Sequence, residues 1–199
     1  MKESSQIRNA GEGIRATRKL PIVTLTVLAV TGFFTALGLL YPGLLTLLQR
    51  QPQALARHEW WRLMTPLLIH SDGWRQICFN FPAILVVGTI AERAFGGRVW
   101  LLLYFVSGLV GNIAGYVWQP TGAGASVAGA GLLGGCAVWM LLTLRRPQTA
   151  IGALLILVGA AGLTLFHDLH GPPILCGAIL GSIILGVKRR SCSFPTSVH

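Results

Sequence analysis

Six runs of this sequence carry no Asp, Glu, Lys or Arg at all: residues 20–40, 76–91, 99–118, 125–144, 150–166 and 172–187. A helix rises 1.5 Å per residue, so about 20 apolar residues cross the hydrocarbon core of a bilayer. The first, third and fourth runs are that long. The second, fifth and sixth are shorter, and such runs still span when their ends are buried in protein or line a polar cavity. The expectation is an all-α, polytopic membrane protein with six transmembrane helices over residues 20–187, flanked by tails at 1–19 and 188–199. The first run is too long for the apolar stretch of a signal peptide and no small-x-small cleavage site follows it, so it is expected to remain as a span.

Composition agrees with that solvent. Only 11% of the 199 residues are charged while 53% are hydrophobic. A soluble domain carries about 25% charged residues.

The net charge of +10 raises nucleic acid as a partner, but the cations do not gather on one face. Lys2, Arg8, Arg15, Arg18 and Lys19 precede the first run. Arg93 and Arg98 separate the second and third, Arg145 and Arg146 the fourth and fifth, and Lys188, Arg189 and Arg190 follow the sixth. That alternation places both termini in the cytoplasm of a plasma (inner) membrane protein. The remaining cations, Arg50, Arg57, Arg62 and Arg75, fall in an outer loop of about 41–75. Its Trp60, Trp61, Leu67 and Leu68 suit the membrane interface.

Cys78, Cys136, Cys176 and Cys192 show no metal-ligand spacing and read as free thiols. Glycines recur four apart at Gly111 and Gly115, Gly131 and Gly135, Gly177 and Gly181, a spacing that suits close helix packing. The tail from Ser191 onward is expected to be loose.

Polar residues within spans are expensive and default to function. Asn80 lies near the start of the second span, Ser126 at the mouth of the fourth and His170 just before the sixth. All three helices begin on the outer side, so the three residues share one depth. A serine hydroxyl needs a base to become a nucleophile, and histidine suits that task. The start of the fourth span offers free N–H groups for an oxyanion, and the Asn80 amide offers another donor. Gly122 and Gly124, with Ala123 and Ala125, would let a substrate backbone approach Ser126. Taken singly, each residue has a plain structural reading: a serine bonded to its own helix, an interfacial histidine, an asparagine bridging helices. His167 competes as the base, and Asp168 could orient either histidine. The coincidence of three at one depth favours acyl transfer.

Several motifs resemble the rhomboid family of intramembrane serine proteases. They are Glu59-Trp60-Trp61-Arg62-Leu63-Met64-Thr65-Pro66 followed by His70, then Phe79-Asn80, then Glu92-Arg93 with Gly96. Tyr104 to Asn112 follows, then Gly124-Ala125-Ser126 with Gly131-Leu132-Leu133-Gly134, and finally His170 with Gly177 and Gly181. The resemblance implies a six-helix core in which Ser126 is the nucleophile and His170 the base, a dyad with no aspartate. It implies an oxyanion held by Asn80 and the Ser126 N–H, no metal or cofactor, and single-span transmembrane proteins as substrates cut near the outer face. The chain departs from the pattern in four places. Val127 stands where the family has glycine after the serine. Ala130 stands where an aromatic residue would stack on the histidine. Gln76 replaces a second histidine as a possible oxyanion donor, with one extra residue between His70 and Asn80. Pro172 and Pro173 follow His170. Those departures leave a second expectation, a catalytically impaired rhomboid pseudoprotease that binds transmembrane clients. A small carrier or channel is a third, disfavoured by the few ionisable residues in the spans and the lack of half-to-half symmetry.

Overall fold

The structure, a computed structural model, describes residues 20–144 and 146–192, the last five as backbone only. The expected N-terminal tail with its five cations, Arg145, residues 193–199 and the side chains of Lys188, Arg189, Arg190 and Cys192 lie outside what is described.

Six long helices account for the six apolar runs. They are α1 (Ile22–Leu40), α3 (Trp74–Phe95), α4 (Gly97–Trp118), α5 (Ser126–Thr143), α6 (Pro147–Leu165) and α7 (Gly171–Cys192), with a short α2 (Pro42–Leu48) in the loop between α1 and α3. A helix satisfies its own backbone, which is why lipid selects it for every span. The described residues form no sheet, so the expected all-α bundle is what the chain adopts. The exposed face of the bundle is apolar: Phe33, Leu155, Val158, Ile179 and Ile183 all point outward. In water such a surface would drive association. In hydrocarbon it is the ordinary exterior.

The three short spans become longer helices than their apolar runs. The α3 helix starts at Trp74 and runs to Phe95, and α6 starts at Pro147. The extension of α3 has a local cause in Glu92. Its carboxylate accepts hydrogen bonds from Val23 N (3.0 Å), Thr24 N (2.8 Å) and Thr24 Oγ1 (2.8 Å), capping the start of α1. A helix N-terminus leaves four N–H groups without partners and attracts negative charge. A charged residue therefore completes α3, where hydropathy alone would end it. In α6, proline occupies the first helical position, where its missing N–H is no loss. The α7 helix also passes Val187 and includes Ser191 and Cys192, the first two residues of the expected loose tail; the rest of that tail lies outside the described residues.

The centre of the bundle is α5, which contacts α3, α4, α6 and α7. Its residues are small because the neighbours leave no room. A Cβ at Gly134 would strike the Ile174 carbonyl of α7, and one at Gly177 would strike the Gly131 carbonyl. Close backbone approach of this kind holds membrane helices together where the hydrophobic effect cannot.

The loop between α1 and α3 is built rather than slack. Arg62 is buried and donates to Thr46 O (2.6 Å) and Gln49 O (2.7 Å), while its Nε pairs with Glu59. Trp60 and Trp61 are left exposed at the bundle's edge. Arg50, also buried, donates from Nη1 to Asn112 Oδ1 of α4 at 2.5 Å, and Asn112 Nδ2 donates to Leu63 O at 2.9 Å. Two of the four cations of this loop are thus internal struts.

Candidate active site

Three anchors from the α1–α3 loop hold the segment that leads into α5. Arg50 N donates to Gly122 O (2.9 Å), Gly124 N to Pro66 O (2.9 Å) and Ser71 Oγ to Ala123 O (3.1 Å). Gly122 adopts a φ of +139°, a conformation that a side chain would strain. The next residue but one after Gly124 is Ser126, the first residue of α5. Its position is therefore set by the loop on one side and by the central helix on the other.

On the far side of the same space, α6 ends and the chain turns into α7. His167 takes a left-handed conformation (φ 59°), and its N–H donates to Thr164 O while Asp168 N donates to Leu163 O at 2.8 Å. This closes α6 and reverses the chain. The His167 ring then packs edge-on to Trp118, with centroids 5.3 Å apart. His170 turns the other way, toward Ser126.

His170 Nε2 lies 3.0 Å from Ser126 Oγ. That separation is within hydrogen-bond reach for a nucleophile and its base. The two side chains join across 44 positions of sequence and two helices. Pro172 and Pro173 do not tilt the ring away. They occupy the first turn of α7, where prolines are tolerated, and Pro173 packs toward Gly111.

A carboxylate stands beside the expected dyad. Asp168 Oδ1 accepts the His170 backbone N–H at 2.8 Å and lies 2.8 Å from Nδ1 of the ring. The sequence left Asp168 open between two histidines. The left-handed turn at His167 decides it. Partial burial works against ionisation of Asp168, but the bonds from the His170 N–H and imidazole outweigh it and hold the carboxyl below its ordinary range.

Behind the pair lies an apolar cavity of about 230 Å³. Asn80, Ser126 and His170 line it together with Ile84, Val87, Ala130 and Leu133. All three polar residues expected at one depth therefore border one space. Gln76 stands nearby with its Oε1 buried and without a partner among the described residues. A Cβ built on Gly124 would lie in ordinary contact, 3.5 Å from that oxygen and 3.6 Å from Ser126 Oγ, so Gly124 borders the passage between them. As placed, Gln76 presents an acceptor, and half a turn of its amide would exchange it for a donor. Ala125 is buried beneath the nucleophile and faces the core instead of the passage.

Two departures find local explanations. Val127 is 1% exposed, packs against Gly111 of α4 and does not line the cavity. Ala130 does line it, leaving open space where a ring would sit. His70, although part of the motif, is buried away from the cavity. Its Nδ1 is 3.2 Å from Thr35 Oγ1 of α1. The residues that sequence reasoning did not single out are Arg50 and Ser71, which brace the approach to Ser126. Arg50 is one of four cations in its loop, so charge alone gave no signal for it.

Residues 57–189 match the Rhomboid domain model, two thirds of the chain. The chain is 36% identical over 110 residues to Rhomboid protease GluP of Bacillus subtilis (strain 168), covering 55% of this chain and 22% of that protein. It is 39% identical over 97 residues to Putative rhomboid protease YdcA of the same organism, covering 47% of each. It is 34% identical over 97 residues to Rhomboid-like protease 3 of Toxoplasma gondii, covering 45% of this chain and 36% of that one. The chain thus spans less than half the length of these curated relatives.

Proposed function

The chain belongs to the rhomboid family, and from that premise we propose that it is a serine endopeptidase cutting transmembrane segments of single-span proteins near the outer face of the membrane. The observation that carries the reading is the 3.0 Å separation of Ser126 Oγ from His170 Nε2. In this reading Ser126 donates its proton to Nε2 as Oγ attacks the scissile carbonyl carbon. The tetrahedral oxyanion takes hydrogen bonds from the Ser126 backbone N–H and the Asn80 amide, with Gln76 as a further donor if its amide is turned. The imidazolium then returns the proton to the leaving amine, and water hydrolyses the acyl-enzyme by the same route in reverse order.

The passage beside Gly124 suits an unwound substrate strand, and the cavity at Ala130 suits an apolar side chain beside the cut bond. A substrate must lose helical structure to enter, so helix-destabilising residues near the cut are expected in it. The membrane proposed is the plasma (inner) membrane with both termini cytoplasmic. Arg93, Arg98 and Arg146 lie at the end of the bundle opposite Ser126, and the buried outer cations Arg50 and Arg62 serve as struts.

Purified protein in liposomes, given a panel of single-span reporters and a fluorophosphonate probe, tests the reading. Cleavage and labelling are expected in the wild type and absent in Ser126→Ala, with an unchanged helical spectrum. Continued cleavage by Ser126→Ala, or a wild type inert to both, overturns it.

A further inference from the structure

We propose that Asp168 is a positioning residue for His170, fixing the ring tautomer that leaves Nε2 free to take the Ser126 proton and balancing the imidazolium that results. The proposal rests on the protease reading of the site, and deepens it from a pair to a linear array of three side chains. The geometry has three parts. Asp168 Oδ1 is 2.8 Å from His170 Nδ1, the same oxygen is 2.8 Å from the His170 backbone N, and the opposite ring nitrogen is 3.0 Å from Ser126 Oγ.

A neutral imidazole carries one N–H, and the nitrogen that holds it is set by what the other atoms accept. An ionised carboxylate accepts only, so the ring proton belongs on Nδ1, donated to Oδ1. Nε2 is then an acceptor, as a general base must be. When Ser126 gives up its proton to Nε2, the ring gains a positive charge and the Nδ1–H bond to Oδ1 becomes charge-assisted. Asp168 keeps its negative charge throughout. The proton leaves with the amine product; in deacylation the ring takes a proton from the attacking water and returns one to Ser126 Oγ.

The backbone that carries the carboxylate is fixed. Asp168 N donates to Leu163 O at 2.8 Å, and Gly171 N donates back to Asp168 O at 3.2 Å. With alanine at 130, no aromatic ring is stacked on the imidazole among the described residues, so Asp168 supplies the constraint from the opposite edge. From α5 the imidazole meets the Ser126 hydroxyl, and α3 presents the neutral Asn80 amide across the cavity. His167, the adjacent titratable group, is turned onto Trp118. Asp168 is the charged group in contact with the ring among the described residues.

A plainer role exists for Asp168: the bond to the His170 N–H is that of a residue capping a helix start. Asparagine separates the two. Its Oδ1 accepts the same N–H, keeping the cap, but carries no charge. Both side chains are 39% exposed, so solvent screens the charge and the expected effect is moderate. Asp168→Asn is expected to keep the wild-type melting temperature, lower kcat about tenfold and leave KM within about twofold. The acidic limb of kcat/KM moves to lower pH, because losing the carboxylate makes the imidazolium easier to deprotonate. Histidine ¹⁵N spectra of the full chain should show the Nδ1–H form of His170 in the wild type and an earlier loss of its proton, as pH rises, in Asp168→Asn. If Asp168→Asn matches the wild type in rate and in pH profile, Asp168 only caps α7 and the proposal is wrong. A wild-type ring protonated on Nε2, or a His170 titration unmoved by Asp168→Asn, overturns it equally, and both are readable in a protein that cleaves nothing. A protein that neither cleaves nor labels fails the protease reading, while those spectra still decide the pairing.

Discussion

Val127 lies on Gly111, side chain against backbone across the α4–α5 interface: a Cβ added to Gly111 would come within 2.7 Å of the Val127 Cβ. The residue that stands in for the expected glycine beside the nucleophile is thus a packing element. Removing its side chain opens a void in a dry interface, because the surroundings relax only in part. Val127→Gly is expected to lower stability by about 2 kcal/mol without raising cleavage. Gly111→Ala is expected to cost about as much by forcing the helices apart. The double variant moves the bulk from one helix to the other and should recover most of the loss, giving a coupling of about 1–2 kcal/mol in a double-mutant cycle. Thermal unfolding in detergent measures all three, and simple additivity would show that the two residues do not pack as described.

The cap on α1 predicts a stability effect far from the site. Glu92 receives three hydrogen bonds from Val23 and Thr24. Glu92→Ala leaves two backbone N–H groups and a hydroxyl without their acceptor, and is expected to lower stability by about 2 kcal/mol. Thr24→Val removes one of the three bonds and should cost less than half as much. Fluorophosphonate labelling of the folded fraction should be unchanged in both, since the site lies at the opposite end of α3.

These two effects also mark how far the sequence could be read. The spans were legible because lipid permits one backbone solution, and charge-free runs announce it. The gathering of Asn80, Ser126 and His170 followed from helix direction alone. What hydropathy could not show was the end of α3, where a carboxylate serves a different helix. Nor could it show that Arg50, read as a loop cation, is a buried strut to Asn112. The choice of Asp168 for His170 depends on a left-handed residue at 167, and nothing in the periodicity of either flanking helix encodes that turn. Tertiary hydrogen bonds to backbone carry no spacing signal.

Arg50 supports a third prediction. Its guanidinium fills the space beside Gly115, where an added Cβ would lie 2.7 Å from Nε. Arg50→Ala removes the bond to Asn112, and Gly115→Val expels the guanidinium by bulk. Either change should loosen the outer loop and, through the Gly122 anchor, the approach to Ser126. The expected result is a drop in kcat/KM of about tenfold, with faster proteolytic nicking within residues 50–75. Unchanged nicking with lost activity would place the effect elsewhere.

His70 predicts a pH dependence of stability. It is 2% exposed, and burial holds its imidazole down at about 4, with Asp72 opposing. The unfolded chain therefore binds a proton near the ordinary value of 6.5, while the folded protein resists it until about 4. The sign follows: the contribution is fully present above about 6.5 and is lost as pH falls toward 4. The size is roughly 3 kcal/mol. Asp168, held below its ordinary 3.8, loses its contribution only further down, so the two windows are separate. His70→Gln should flatten the decline in melting temperature between pH 6.5 and 4.5 that the wild type shows. A parallel decline in both would assign the dependence to other groups.

The cavity beside Ala130 makes substrate choice testable on the proposed reaction. Its lining residues Ile84, Val87, Ala130 and Leu133 offer an apolar surface, and Ser126 and His170 border the same space. An apolar side chain next to the cut bond would leave water for that surface, and the benefit grows with its area. Ala130→Phe fills the space from within. If the cavity receives a substrate side chain, this variant should cut a reporter with leucine beside the scissile bond at least tenfold less well, as steric rejection in a filled pocket requires. A reporter with alanine there should be cut about as well as before. The new ring also lies within reach of the imidazole, so a general rise in rate on both reporters would mean that it acts by steadying His170 instead. Equal loss on both would mean that the phenylalanine disturbs the Ser126–His170 pair, and the cavity would have no part in selection. Only the split between the two reporters, with the loss confined to the larger side chain, is consistent with a specificity pocket.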